Sequence, residues 1–503
     1  MKHYTRKEMV ESVPQTGFFG HPKGLGNLFF IEFWERFSYY GMRAILLYFM
    51  YTAVADGGLG FSKEMSQSIM SLYGSLIYMT GILGGWVADR LIGSRHALFF
   101  GAILIMFGHI VLAFPTGGVP FFLISMALII IGTGLMKPNI SNVVGGLYDK
   151  NDARMDNGFT IFYMSVNMGA LAAPLVVGQL QTRYGFHVGF GAAAVGMGLA
   201  LIGYILYSKK ALGLVGLDVP NPLNAEEKRR VLVKVSLGII VLAVIGGIAY
   251  FTNTLTFDSF SYFITLLGIL IPVYYFLMMY RSHKTTKVEK SRLLAYIPIF
   301  LSAVMFWSIQ EQGSSILGAF ADTNTQRNLE SLWGIDYTIP AAFFQSINPL
   351  FIVLLAPVIS FIWSKMGKRQ PSTPVKFSLG LLFAGLSFLL MVIPTMGMTD
   401  KTLINPIWLV SSFILCVLGE LCLSPVGSSV SAKLAPKAFE SQMMSMWFLA
   451  SATAQGVNAQ LVRLYNIWPA SKYFGFLGLL ALILAGAVFF MSPWTKSKME
   501  GIK

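Results

Sequence analysis

Charge is scarce in this sequence: Asp, Glu, Lys and Arg together supply 12% of 503 residues, well below the quarter usual in globular domains. That shortage excludes an ordinary soluble enzyme or a solvated binding module. Cysteine is scarcer still. Only Cys416 and Cys422 are present, in one apolar run, where a helix sets side chains six residues apart about 240° from each other. Neither a disulfide nor a thiol metal pair is expected, and with no C-x-x-C and no histidine cluster, neither a metal nor a cofactor is expected. The first 26 residues also lack an apolar stretch followed by a cleavage site, so removal of a signal peptide is not expected and the first span should direct insertion itself.

Apolar residues, by contrast, make up 55% of the chain, with 50 glycines and a mean hydropathy of +0.64. At roughly 20 residues per crossing, this supply suits about fourteen transmembrane helices, and the glycines suit close helix packing in lipid. The net charge of +14 does not imply nucleic acid, because the basic residues are not gathered on one face. They concentrate in alternate loops and both tails, and only Arg36, Arg43 and Lys137 fall inside spans. That is the positive-inside pattern. It predicts a multi-pass protein of the cell membrane, in the lipid bilayer, with both termini cytoplasmic and an even number of spans.

Apolar runs lie at about 27–54, 66–88, 96–114, 120–146, 158–180 and 188–208, then at about 233–252 and 260–280. A further six lie at about 293–320, 340–366, 374–395, 405–433, 440–463 and 472–493. The expected organisation is a tail over 1–26, a six-helix bundle over 27–208 and a linker over 209–292 carrying two extra transmembrane helices. A second six-helix bundle follows over 293–493, then a tail over 494–503. Paired six-span units suggest a transporter whose substrate site lies between the halves, near the midplane. After the second span comes Gly85-Trp86-Val87-Ala88-Asp89-Arg90-Leu91-Ile92-Gly93-Ser94-Arg95, with a weaker echo in Ser364-Lys365-Met366-Gly367-Lys368-Arg369. The first resembles the loop signature of the major facilitator superfamily, which implies an all-α membrane protein with the major facilitator fold.

Seven ionisable residues, Glu32, Glu35, Arg36, Arg43, Lys137, Glu311 and Glu420, lie within the apolar runs. Left unpaired in hydrocarbon at roughly 3 kcal/mol each, they would cost on the order of 20 kcal/mol. They are therefore expected to face a hydrated cavity and to pair there. Glu32, Glu35, Arg36, Tyr39, Tyr40 and Arg43 stand at offsets 0, 3, 4, 7, 8 and 11, which at 100° per residue makes one stripe about 140° wide. Buried ion pairs stabilise folds weakly, which argues for function rather than packing. Tyr163 and Asn167, four apart, share a face. Tyr78, Asn348 and Trp447 are candidate cavity walls. Pro138, Pro349 and Pro425 each remove a backbone donor inside a run and are expected to kink it.

Glu32-Phe33-Trp34-Glu35-Arg36-Phe37-Ser38-Tyr39-Tyr40-Gly41 resembles the E-x-x-E-R-F-x-Y-Y-G signature of the proton-dependent oligopeptide transporter family. Phe159 to Gly169 is similar to that family's F-x-x-F-Y-x-x-x-N-x-G signature. Lys137-Pro138-Asn139, Phe306-Trp307 through Glu311-Gln312-Gly313, and Gly419-Glu420-Leu421 leading to Ser424-Pro425 extend the likeness along most of the chain. The extra helix pair also looks like bacterial members.

The resemblance implies import of di- and tripeptides with protons by alternating access. It implies proton coupling through Glu32, Glu35, Arg36, Lys137 and the pair Arg43 with Glu311. Glu420 would meet the peptide ammonium, and Tyr39, Tyr40, Tyr78, Asn167, Asn348, Ser424 and Trp447 would contact the peptide. Gln310 stands where some members carry a second acid, so a scheme with two adjacent carboxylates there is in doubt.

Chemistry points the same way. A dipeptide is a zwitterion whose charges lie about 5–7 Å apart when extended. Arg36, Arg43 and Lys137 can take its carboxylate and Glu420 its ammonium, so that the ligand bridges the halves inside a roomy aromatic-walled pocket. A carboxylate beside a cation stays ionised, and drawing the cation to a substrate favours its protonation, so peptide and proton change each other's affinity reciprocally through the same basic partners. A carrier of nitrate or drugs on the same scaffold is the nearest alternative, and nitrate would leave Glu420 without a partner. A membrane enzyme would want a nucleophile with a base, which His109, lacking an acid in its run, does not supply. A channel would want a ring of one repeated residue type. A monomer, with no nucleic-acid partner, is expected.

Overall fold

The computed structural model describes residues 4–149, 152–254, 256–330, 334–399 and 401–502. Fourteen long helices run through the described residues. The first six are α1 (Lys23–Tyr51), α2 (Lys63–Val87), α3 (Ser94–Ala113), α4 (Gly118–Gly146), α5 (Met155–Tyr184) and α6 (Phe186–Leu212). Then come α7 (Ala225–Phe251) and α8 (Phe257–Arg281). The last six are α9 (Lys287–Gln310), α10 (Ile347–Met366), α11 (Thr373–Thr395), α12 (Pro406–Leu434), α13 (Glu440–Ile467) and α14 (Ala470–Lys498). Eleven helices among the described residues are long and apolar enough to cross a membrane. The other three, α1, α2 and α13, are as long but more polar, because they carry the residues that the two halves turn toward each other.

Local signals set the ends. Ser62 caps α2 by accepting from the Met65 amide, and capping boxes of Asn224 with Glu227 and Thr286 with Glu289 open α7 and α9. Gly93, at φ 81°, turns the chain between α2 and α3. A Cβ there would lie 2.8 Å from the Asp218 carbonyl oxygen, so both the φ and the space call for glycine.

Two six-helix bundles result, the major facilitator fold. In the first, α1 packs on α5 and α6, and α2 and α3 on α4. In the second, α11 packs on α12 and α14, and α9 on α13 and α14. Helix α7 has no buried residue, so its Val, Ile and Leu side chains are left to hydrocarbon. Helix α8 is different. It lies along α13 and touches α2, tied by Thr265 Oγ1 to the Gly456 carbonyl at 2.7 Å and by Gln460 Nε2 to Ser261 Oγ at 2.9 Å. Helix α7 therefore faces lipid, whereas α8 packs against α13 and α2.

The bundles meet at one end only among the described residues, the end at which α1 finishes. There Tyr48 donates to the Gly318 carbonyl at 3.2 Å, Ser68 to that of Ala459 at 3.0 Å, Ser75 to that of Ala452 at 2.8 Å and Ser346 to that of Leu171 at 2.8 Å. At the other end, where α1 begins, no such bond crosses among the described residues, and Tyr163 and Met164 on α5 stand exposed.

Three features depart from expectation. Residues 4–22 hold a short helix (Arg6–Glu11) and a two-residue hairpin (Gly17–Phe18 with His21–Pro22), rather than a plain tail. Arg6 Nε donates to the Tyr148 carbonyl at 2.8 Å, and buried His21 Nδ1 meets Tyr148 Oη at 3.0 Å. The run 293–320 is not one helix: α9 stops at Gln310, and after a 3₁₀ turn (Glu311–Ser314) a short helix (Ile316–Thr323) resumes. Pro349 is the third residue of α10, where a 3₁₀ turn (Ala341–Ser346) passes into α-helix, whereas Pro138 and Pro425 lie inside α4 and α12 as expected.

Candidate functional site

The stripe on α1 points into the protein. Glu32, Glu35, Arg36 and Tyr39 are all buried, on a helix whose remaining residues are mostly apolar. Arg36 Nε lies 3.1 Å from Glu32 Oε1 and also donates to Glu35 Oε2. The second oxygen of each acid, Glu32 Oε2 and Glu35 Oε1, is buried without a partner among the described residues. Each carboxylate therefore has one oxygen held by the guanidinium and one on which a proton can sit. One face of Tyr39 lies 5.3 Å from the Arg36 guanidinium carbon, which spreads the positive charge onto an aromatic wall.

Two turns further along, Arg43 crosses to the second bundle. Its Nη2 donates to Glu311 Oε2 at 2.6 Å and to Ser314 Oγ at 2.7 Å. Both acceptors stand on the 3₁₀ turn that interrupts α9. The break explains the geometry, because tighter winding presents Glu311 and Ser314, three apart, on one edge. Beyond it, Tyr51 Oη donates to Asp322, and Arg327 Nη2 donates to the same carboxylate at 3.0 Å. Sequence reasoning missed Ser314, Asp322 and Arg327; the apolar run hid the break, and Asp322 lies past its apparent end.

Glu420, half-buried on α12, has no cation beside it among the described residues. Its Oε2 accepts from Gln310 Nε2 at 2.8 Å and Asn348 Nδ2 at 3.4 Å, and no protein donor reaches Oε1 among the described residues. Two neutral amides orient this carboxylate while leaving its charge uncompensated. Lys137, half-buried on α4, makes no ion pair within the described residues, and its Nζ sits 4.6 Å from the centre of the Tyr78 ring. One cation on the first bundle and one carboxylate on the second thus remain unmatched, as a zwitterion requires.

Across residues 95–475 the sequence matches the POT family. It is also 54% identical, over the full length of both chains, to an uncharacterized transporter, YclF, of Bacillus subtilis (strain 168). This chain belongs to the POT family. A di-/tripeptide transporter of Lactococcus lactis subsp. lactis (strain IL1403) is 45% identical, over 93% of this chain and 94% of that one. The crystal structure of the peptide transporter POT in complex with sulfate superposes with a TM-score of 0.95 at 52% identity, covering 99% of this chain and 100% of that one. POT family membership makes the chain a transporter and sets aside the membrane-enzyme reading.

Within this POT family fold, the remaining sequence-predicted residues take varied places. Tyr40 and Tyr78 are half-buried beside Arg36 and Lys137. Asn167 donates to the Tyr163 carbonyl at 3.1 Å within α5, so part of its capacity is used locally. The Ser424 hydroxyl is buried and unpartnered among the described residues. Trp447 is buried over Gly427, where an added Cβ would meet its ring at 2.0 Å. That ring is packed into the second bundle and does not join the ions.

Proposed function

We propose that this chain is a proton-coupled symporter that imports di- and tripeptides by alternating access, in the cell membrane with both termini cytoplasmic, as a monomer. The observation that carries the reading is the pair Arg43 and Glu311, 2.6 Å apart across the two bundles, flanked by Arg36 between two acids. A bare ion pair bridging two rigid bodies is a contact that a charged ligand can replace. The peptide-transporter relatives support the substrate class.

The units are a tail over 1–26, bundles over 27–208 and 293–493, an insert over 209–292 and a tail over 494–503. The peptide carboxylate draws on Arg36, Arg43 and Lys137, and its ammonium on the free oxygen of Glu420. Tyr39, Tyr40, Tyr78, Asn167, Gln310, Asn348 and Ser424 complete the walls, and Trp447 packs behind them over Gly427. With Arg43 taken by the peptide, Glu311 loses its cation and accepts a proton more readily; the same exchange holds for Glu32 and Glu35 about Arg36. Reciprocity then requires that a proton on these acids strengthen peptide binding.

The test is a comparison of proton-driven peptide uptake with peptide counterflow in Glu32→Gln, Glu35→Gln and Glu311→Gln. Counterflow needs no net proton movement. We expect driven uptake to fall by about two orders of magnitude, roughly the loss of a buried charge interaction, while counterflow persists. Retention of both activities by all three variants would show that coupling lies elsewhere.

A further inference from the structure

Behind the turn that carries Glu311 lies a second set of polar groups, none of them exposed. Gln312 and Tyr473 are fully buried, Asn458 is 1% exposed and Ser308 5%. Asn458 Oδ1 accepts from Ser308 Oγ at 2.6 Å and from Gln312 Nε2 at 3.3 Å, and Tyr473 Oη donates to Gln312 Oε1 at 2.9 Å. The four side chains join α9, its 3₁₀ turn, α13 and α14. Buried polar groups of this kind cost stability unless every member is satisfied.

Their placement addresses what the helix break requires. Side chains one apart in a 3₁₀ turn point about 120° from each other, so Gln312 is aimed away from Glu311 and back into the bundle. Fixing Gln312 from behind fixes the direction in which Glu311 faces. The front of the turn is held as well, since Gln345 Nε2 donates to the Gly313 carbonyl at 2.7 Å. Asn458 also stands beside the seam between the bundles. Its neighbour Ala459 accepts from Ser68 of α2, and Gly456 accepts from Thr265 of α8. A shift of α13 along α2 therefore moves the acceptor that holds the turn.

We propose that Asn458 and Tyr473 are positioning residues for Glu311: through Gln312 they set the turn so that Glu311 meets Arg43, and they transmit the state of the α2 to α13 seam to that acid. This rests on the coupling role proposed above for Glu311. Neither residue touches the cavity ions, so their loss should affect coupling rather than peptide binding.

The experiment measures dialanine counterflow and proton-driven dialanine uptake in proteoliposomes for Asn458→Leu, Tyr473→Phe, Glu311→Gln and the double variant Asn458→Leu with Glu311→Gln. Asn458→Leu strips two buried donors of their acceptor, and driven uptake is expected to fall about tenfold with counterflow within about twofold of the unsubstituted protein. Tyr473→Phe, which removes only a hydroxyl, should lower the driven-to-counterflow ratio about threefold, and should decide the matter if Asn458→Leu fails to fold. In the Glu311→Gln background, Asn458→Leu should cost nothing further in driven uptake. If Glu311→Gln loses drive while Asn458→Leu and Tyr473→Phe keep the unsubstituted ratio, or if the losses add in the double variant, the positioning role is overturned alone. If Glu311→Gln keeps full drive, the role of Glu311 falls and this one with it.

Discussion

Glu420 and Glu311 are carboxylates of opposite circumstance. Glu311 has a guanidinium at 2.6 Å, while Glu420 has only the amides of Gln310 and Asn348. A cationic group from outside the protein gains most at the acid that lacks one, because a desolvated ion pair with good hydrogen-bond geometry is worth far more than an exposed pair. Glu420→Gln is therefore expected to weaken competition by free-amine dipeptides at least tenfold, with little change for amino-blocked ones. Measuring inhibition constants for both classes checks this, and equal losses would remove the ammonium role. At this scale the sequence was highly legible. Each of the seven intramembrane charges stood out because hydrocarbon tolerates so few, and the periodicity of α1 put Glu32, Glu35, Arg36, Tyr39, Tyr40 and Arg43 on one stripe, none of them exposed. Contacts between residues far apart in the chain, such as Arg43 with Ser314, left no such mark.

Elements were legible where one physical rule governs them and obscure where two compete. The apolar runs located the helices, although capping boxes open α7 at Ala225 and α9 at Lys287, well before the runs at 233 and 293 begin; the interruption of α9 at Glu311 was hidden, since a run can stay apolar while its hydrogen bonding changes. The docking of residues 4–22 was equally hidden, because Arg6 bonds to backbone carbonyls, which every sequence has. Close helix approach, by contrast, depends on glycine. At Gly84 an added Cβ would sit 1.9 Å from the Gly134 carbonyl oxygen, whereas at Gly238 on α7 nothing lies within 4 Å. Gly84→Val is expected to destabilise the first bundle by about 1–3 kcal/mol through overpacking. Gly238→Val should leave stability unchanged. Melting temperatures of the two variants in detergent check the contrast, and an equal effect would mean that α7 is packed against the protein or that α2 and α4 are not in contact.

At the scale of the whole molecule, two bundles touch at one end and part at the other, with ions of both signs between them. Besides the Arg43–Glu311 and Tyr51–Asp322 contacts, the closed end is joined by single hydrogen bonds such as those from Tyr48, Ser68, Ser75 and Ser346 to carbonyls. Each is worth about 1 kcal/mol net, so the seam can part and re-form. Composition predicted about fourteen crossings and the spacing of the apolar runs predicted the pairing of halves; which end is closed is a balance of such small contacts and has no signature in a sequence. An inward proton gradient should drive a zwitterion through this structure. The direct measurement is uptake of labelled dialanine into proteoliposomes of the purified protein, with and without a pH gradient, against free alanine and nitrate as competitors. Concentrative dialanine uptake that collapses with an uncoupler and resists both competitors is the predicted result. Dialanine entry no faster than into protein-free liposomes, or accumulation indifferent to the gradient, would contradict it.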